Sequence, residues 1–169
     1  MRNPTQVVDL GCGPGNIFHA LEPDINFVGV DISSKYLSRA KKMRPNAFLI
    51  CEDVTTEKWM SQFSHKDDTL YLGLALFHHI SDDGLKNMFR RIEKYMGPSS
   101  SFFTVDPTIQ ESTKSAARWF ANNDRGKFVR TPQQLERILK SLGFIVDIEV
   151  KSNQFKIPLD SVEMVITRK

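Results

Sequence analysis

Short continuous apolar runs alternate along this chain with stretches in which apolar residues recur every three or four positions. Continuous runs bounded by turn residues read as strands buried on both faces; the longer spacing reads as one-sided helices. Val7-Val8 begins the first strand close to the N-terminus. Further strands are expected at Asn26–Val30, Ala47–Ile50, Thr69–Leu74 and Ser101–Val105. Ile17, Phe18 and Leu21 suggest a short helix ended by Glu22-Pro23. Ser33 caps a second helix carrying Tyr36, Leu37, Ala40 and Met43, which Pro45-Asn46 breaks. A short helical segment is expected from Thr55 or Thr56 through Trp59, Met60 and Phe63. Ser81 caps a longer helix with Leu85, Met88, Phe89, Ile92 and Met96 on one face, stopped by Gly97-Pro98. Alternation at this rhythm predicts parallel βαβ units and a doubly wound α/β sheet.

The end of the chain has a different grammar. Thr131-Pro132 starts a helix lined by Leu135, Ile138, Leu139 and Leu142, and Gly143 ends it. Phe144–Val150 and Ser161–Thr167 then read as two strands with no helix between them, joined by a link containing Pro158. That spacing predicts an antiparallel pair at one end of the sheet.

At 169 residues the chain suits one domain, residues 1–169, with a helical insertion at about 107–130. Its longest apolar run, Leu70 to Phe77, is far short of the roughly 20 residues a membrane span needs. Met1-Arg2-Asn3-Pro4 has no apolar signal-peptide core. Cys12 and Cys51 fit no metal-binding spacing, so no metal is expected and a reduced, cytoplasmic setting is. A net charge of +3 does not by itself imply nucleic acid.

Chemistry concentrates where the early strands end. The first runs into Gly11-Cys12-Gly13-Pro14-Gly15, the second into Asp31, and the third is followed by Glu52-Asp53. In a doubly wound sheet, ligands bind outside the carboxyl ends of the strands. Asp31 follows Gly11 by twenty positions, the spacing at which a carboxylate at the second strand's tip reaches ribose hydroxyls. Asp53 at the third tip can accept from an exocyclic amine such as adenine's. A dinucleotide fingerprint would need glycine at position 16, where Asn16 stands, and acidic Asp9 before the turn repels a pyrophosphate but suits an ammonium. S-Adenosylmethionine carries an ammonium, a carboxylate, a sulfonium and an adenosine, and no phosphate.

On these residues, on Val28–Ser33, on Leu76–Ile80 after the fourth strand and on the closing helix and strand pair, the sequence resembles the class I (Rossmann-like) S-adenosylmethionine-dependent methyltransferases. The resemblance implies a mostly parallel seven-stranded sheet in order 3-2-1-4-5-7-6 with strand 7 antiparallel, in a three-layer αβα sandwich. It implies S-adenosyl-L-methionine as cofactor, with Gly11, Cys12, Gly13 and Gly15 around the methionine part. Asp31 would hold the ribose hydroxyls, Ile32 would pack on the adenine, and Asp53 would take the adenine amine with Val54 beside it. Leu74 and Ala75 would line the floor near the sulfonium. Most members of the family carry a helical segment before the first strand that covers the cofactor. Here the chain starts almost at that strand, so the resemblance implies a compact variant, a covering segment missing from this sequence, or one supplied by another chain.

Methyl transfer from a sulfonium is an in-line displacement whose catalyst chiefly aligns reactants and excludes water. A base is needed where the acceptor must lose a proton; His78, His79 and Asp106 are the candidates. The insertion carries Trp119 and Phe120 as an aromatic wall and basic residues including Arg118 and Arg125 as an anion-binding edge, a candidate substrate cover. The expected partner is a small-molecule acceptor methylated at O, N or C, with the protein a monomer or homodimer. An RNA acceptor engaging the basic insertion and a catalytically inactive binding module are the alternatives. The acidic or Asn-Pro-Pro-aromatic motif of amino-methylating nucleic-acid enzymes is absent after the fourth strand, where Leu74-Ala75-Leu76-Phe77 stands.

Overall fold

The alternation of side chains along each strand sorts the apolar residues into two layers. The computed structural model describes residues 4–110, 126–152 and 160–169. Strands β1 (Gln6–Leu10), β2 (Asn26–Asp31), β3 (Phe48–Cys51), β4 (Thr69–Leu74), β5 (Ser101–Thr108), β6 (Ile145–Lys151) and β7 (Asp160–Thr167) form one sheet. Its order is β3-β2-β1-β4-β5-β7-β6, parallel except for β7, which runs antiparallel to both β5 and β6. Helices α1 (Ser34–Met43), α2 (Asp82–Ile92) and α3 (Pro132–Ser141) flank it. Val8, Val28, Tyr71 and Phe102 face α2 and α3, packing with Leu85, Phe89, Leu135 and Leu139. Val7, Phe27 and Leu72 face the other way, against Phe18 and the α1 residues Leu37 and Ala40. The expected sheet order and sandwich are therefore present.

The helix starts follow local chemistry. Ser33 accepts the Tyr36 N–H and Ser81 the Gly84 N–H. Thr131 forms a reciprocal capping box with Gln134, with Pro132 in the first turn. Where long-range packing decides, the structure departs from the sequence reading. The segments expected after the glycine turn and after Thr55 are single 3-10 turns, Phe18–Ala20 and Met60–Gln62. Helix α2 ends at Ile92, although Met96 beyond it is still buried. Strand β5 continues through Asp106 and Pro107 to Thr108 because β7 supplies partners there after β4 has ended. Proline is tolerated at that point because Pro107 lies beyond the last β4 pairing. The link at 153–159 lies outside the described residues, as do the 111–125 part of the insertion and its Arg118, Trp119, Phe120 and Arg125.

Phe89 is wholly buried, with ring centroids 5.7 Å from Phe77, 5.0 Å from Phe102 and 5.3 Å from Phe144. It joins α2 to β5 and to the residue before β6. Phe89→Ala should lower unfolding stability by about 3–5 kcal/mol, read from urea denaturation midpoints.

Candidate functional site

The carboxyl ends of the strands open into a cleft of about 710 Å³. Gly11 and Gly13 form part of its lining, with Asp31 at the end of β2 and Ile32 just after it. Glu52, Asp53, Val54 and Thr55 line it after β3, and Ala75, Leu76, His79 and Ile80 after β4. It lies at the topological switch point, where β1 has β2 on one side and β4 on the other.

The glycine turn is shaped by backbone bonding. Gly11 and Cys12 both donate to the Val30 carbonyl, at 2.8 and 3.1 Å, and Gly13 donates to Asp31 Oδ2 at 2.9 Å. Gly11 and Gly13 adopt φ of +73° and +54°, a region costly for residues with a Cβ. A Cβ at Gly11 would lie 3.0 Å from Leu76 Cδ1, whereas one at Gly13 would meet nothing within 4 Å. Asp31 Oδ1 also accepts the Ser33 N–H at 2.8 Å, so this carboxyl links the turn to the start of α1. Asp53 Oδ1 accepts the Thr55 N–H and hydroxyl, each at 2.8 Å, orienting the carboxyl at the cleft wall.

Asp9 lies beneath this surface, 3% exposed. Among the described residues no ion pair or hydrogen bond reaches its carboxyl. Burial, with the charge of Asp31 second, pushes its pKa up to about 7. Burial, followed by the charges of Asp9 and Asp31, also pushes the Cys12 thiol far above its usual range, making it a poor nucleophile. Two carboxyls at one glycine turn, with no lysine or arginine paired to either among the described residues, suit a ligand that brings its own cation.

Of the three candidate acid–base residues, His79 lines the cleft while His78 and Asp106 are buried behind it. Asp106 Oδ1 accepts the His78 N–H at 3.2 Å and lies 2.9 Å from His78 Nδ1; the Thr104 hydroxyl is 2.8 Å from Oδ2. The His78 and His79 ring centroids are 4.0 Å apart. The buried pair therefore anchors the segment that presents His79. Among the expected cofactor residues, Asp9, Cys12, Gly15 and Leu74 are not part of the cleft lining, while Gly11, Gly13, Asp31, Ile32, Asp53, Val54 and Ala75 are. Ala75 has φ +52°, an uncommon conformation for a residue with a Cβ, fixed by its N–H donating to Val105 at 2.7 Å.

Sequence reasoning missed several lining residues. Tyr36, expected on the apolar face of α1, is 41% exposed and lines the cleft. Phe128, Ser81 and Gly84 carried no signal, because their nearness to Thr55 and Ile80 depends on how α2 and the insertion dock. Arg130, at the end of the insertion, is one of the basic residues that the sequence suggests for its anion-binding edge. It is instead 5% exposed, donating to Phe77 O at 2.8 Å, Ile80 O at 2.6 Å and Phe128 O at 3.0 Å, and pairing with Asp82 at 2.8 Å.

A mixed seven-stranded sheet with an antiparallel β7, and a cleft at the glycine turn after β1, define a class I methyltransferase fold. Residues 7–99 match the family described as methyltransferase domain, and the chain belongs to that family of S-adenosylmethionine-dependent methyltransferases. It is similar to a trans-aconitate 2-methyltransferase of Paracidovorax citrulli (strain AAC00-1), with 35% identity over 75 residues, 43% of this chain and 28% of that protein. Among solved structures it resembles a mitomycin 7-O-methyltransferase, with TM-score 0.75 and 19% identity over 98% of this chain and 49% of that one. It also resembles a plantazolicin methyltransferase, solved with a triazolic desmethylPZN analogue and S-adenosylhomocysteine (SAH), with TM-score 0.77 and 16% identity over 99% of this chain and 78% of that one. The chain thus spans 28% of the curated relative and about half of the first of these structures. No helix among the described residues is long and apolar enough to cross a membrane.

Asp9 and Arg130 each give a test. The Asp9 carboxyl, ordinarily ionising near 3.8, holds its proton to about pH 7 in the fold. Its ionisation therefore opposes folding progressively as pH rises from about 4 to about 7. The melting temperature of Asp9→Asn relative to wild type should climb through that window and level off above it, by calorimetry without ligand. Arg130→Ala leaves the carbonyls of Phe77 and Ile80 without that donor, and should cost about 2–4 kcal/mol in chemical denaturation.

Proposed function

We propose that this domain binds S-adenosylmethionine in the cleft and that the protein transfers its methyl group to an O, N or C nucleophile of a small molecule. The observation that carries the reading is the pair of carboxyls, Asp9 and Asp31, flanking the glycine turn without a described cation partner. In this reading the cofactor's ammonium lies toward Asp9, beside the open turn of Gly11, Cys12, Gly13 and Gly15. Asp31 keeps acceptor capacity for ribose hydroxyls while bonded to two backbone N–H groups. Exposed Ile32 offers an apolar face to adenine, Asp53 accepts its amine, and Val54 packs beside it. Ala75 forms the floor near the sulfonium, with Leu74 behind it outside the lining.

When bound, the cofactor supplies a methyl carbon activated by the sulfonium. The chain's share is to hold both reactants in line and to keep water out. His79 is the candidate to accept a proton from an acceptor hydroxyl or amine, with His78 and Asp106 as positioning residues behind it. The relatives, named for trans-aconitate, mitomycin and plantazolicin, support an acceptor of small-molecule kind. Arg130 holds the chain together rather than facing solvent, which weakens the case for an RNA acceptor on the basic insertion.

Calorimetric titration with SAH tests the cofactor half directly. Binding in the micromolar range is expected, at least tenfold weaker for Asp31→Ala. An ammonium beside Asp9 favours its ionised form, so binding releases a proton and the affinity of wild type should rise as pH goes from about 6 to 8, while that of Asp9→Asn stays low and flat. No heat with millimolar SAH at pH 8 would falsify the enzyme reading and leave a methyltransferase-like binding module.

A further inference from the structure

Three of the large hydrophobic side chains most exposed among the described residues, Ile32, Tyr36 and Phe128, line the same cleft. Ile32, just after β2, and Tyr36 of α1 are placed there by the fold in any case. Phe128 is different, because it belongs to the returning limb of the insertion and must be brought to the cleft. Three alternate residues of that limb fasten it. Gly126 packs so closely on His78 that a Cβ would sit 1.9 Å from the ring's Cδ2. Phe128 donates its N–H to the His78 carbonyl at 3.0 Å. Arg130 donates to the carbonyls of Phe77 and Ile80. The limb is thus held on the turn Phe77–Ile80 through its backbone and its neighbours, and the Phe128 ring contributes none of these bonds. It stays 38% exposed, with the Arg130 guanidinium 5.8 Å from its centre.

The end of the cleft that Phe128 occupies can be read from what its anchors touch. Arg130 grips Ile80 and Asp82. A Cβ at Gly84, in the first turn of α2, would lie 2.8 Å from Ile80 and 3.8 Å from Thr55, so the start of α2 bridges the turn to the loop beyond Asp53. A line of contacts thus runs from the Arg130 anchor through Ile80 and Gly84 to Thr55, and Phe128 shares the cleft lining with Asp53, Val54 and Thr55. An apolar ring held open to solvent by bonds it does not itself make is preorganised to cover a flat ligand group.

We propose that Phe128 is a cofactor-binding residue: the insertion's return limb delivers it as an aromatic wall for the adenosine end of the cleft. This rests on the cofactor reading above, from which it takes the orientation of the ligand. Aromatic–base contacts lose on the order of tenfold in affinity on truncation to alanine.

The experiment is calorimetric titration of wild type, Phe128→Ala, Phe128→Trp and Gly126→Ala with SAH and with adenosine, each with a thermal melt as a check of folding. Phe128→Ala is expected to bind both ligands about tenfold more weakly with an unchanged ligand-free melt, and Phe128→Trp within about threefold of wild type. Gly126→Ala, which displaces the limb without altering the ring, should lose affinity too. If Phe128→Ala does not fold, Phe128→Leu takes its place, with a loss of at least about threefold expected for both ligands. Wild-type affinity in the folded truncation overturns the inference and leaves the cofactor reading standing. A loss for SAH without one for adenosine overturns it as well, since the ring would then serve the amino-acid end. Unchanged affinity in folded Gly126→Ala refutes delivery by the limb. Failure of wild type to bind SAH overturns the cofactor reading and this inference together.

Discussion

The Val30 carbonyl accepts two backbone N–H groups, from Gly11 and Cys12, and this shared acceptor sets the geometry of everything above it. It ties the turn after β1 to the last residues of β2, where Leu10 and Val30 are already in register. The chain can make that approach because Gly11 takes a positive φ without steric penalty. Once the turn is held there, the following residue brings Asp31 into bonding distance of Gly13, and the β4 loop closes over Gly11 through Leu76. The cleft is the space these constraints leave.

Holding the turn this way confines two acidic side chains in a small volume. Asp9 is carried on β1, whose other residues are packed in the core, so its carboxyl is buried near Asp31. The consequence is a site less stable when empty at neutral pH than an apolar one would be. Ala75 adds a second departure from local preference at the same edge, its left-handed backbone held by Val105. Such departures at a binding edge are part of what prepares it for a ligand.

On the β4–β5 side the turn Phe77–Ile80 plays the matching role. Asp106 holds it from below through the main chain and ring of His78, and Arg130 holds it through the carbonyls of Phe77 and Ile80. Asp106 occupies that place because β7 extends β5 past the end of β4. The antiparallel strand thus bears on the cleft it does not touch: by prolonging β5 it positions the carboxyl that orients His78, and with it the segment carrying His79.

Much of this was legible in the chain itself. The strand runs, the caps at Ser33, Ser81 and Thr131, and the closing strand pair are set by residues a few positions apart, so periodicity and turn chemistry expose them. The tips bearing Gly11, Asp31 and Asp53 were legible because a doubly wound sheet brings the ends of its early strands to one edge. The 3-10 turns, the prolonged β5, the burial of His78, Asp106 and Arg130, and the entry of Tyr36 and Phe128 into the cleft were decided by the tertiary structure. Each depends on which distant groups meet: the β7 residues across from Pro107, the carbonyls that claim the Arg130 guanidinium, the His78 ring against Gly126. Local sequence determines what a residue is able to do; the environment that selects among those options comes from parts of the chain far away along it.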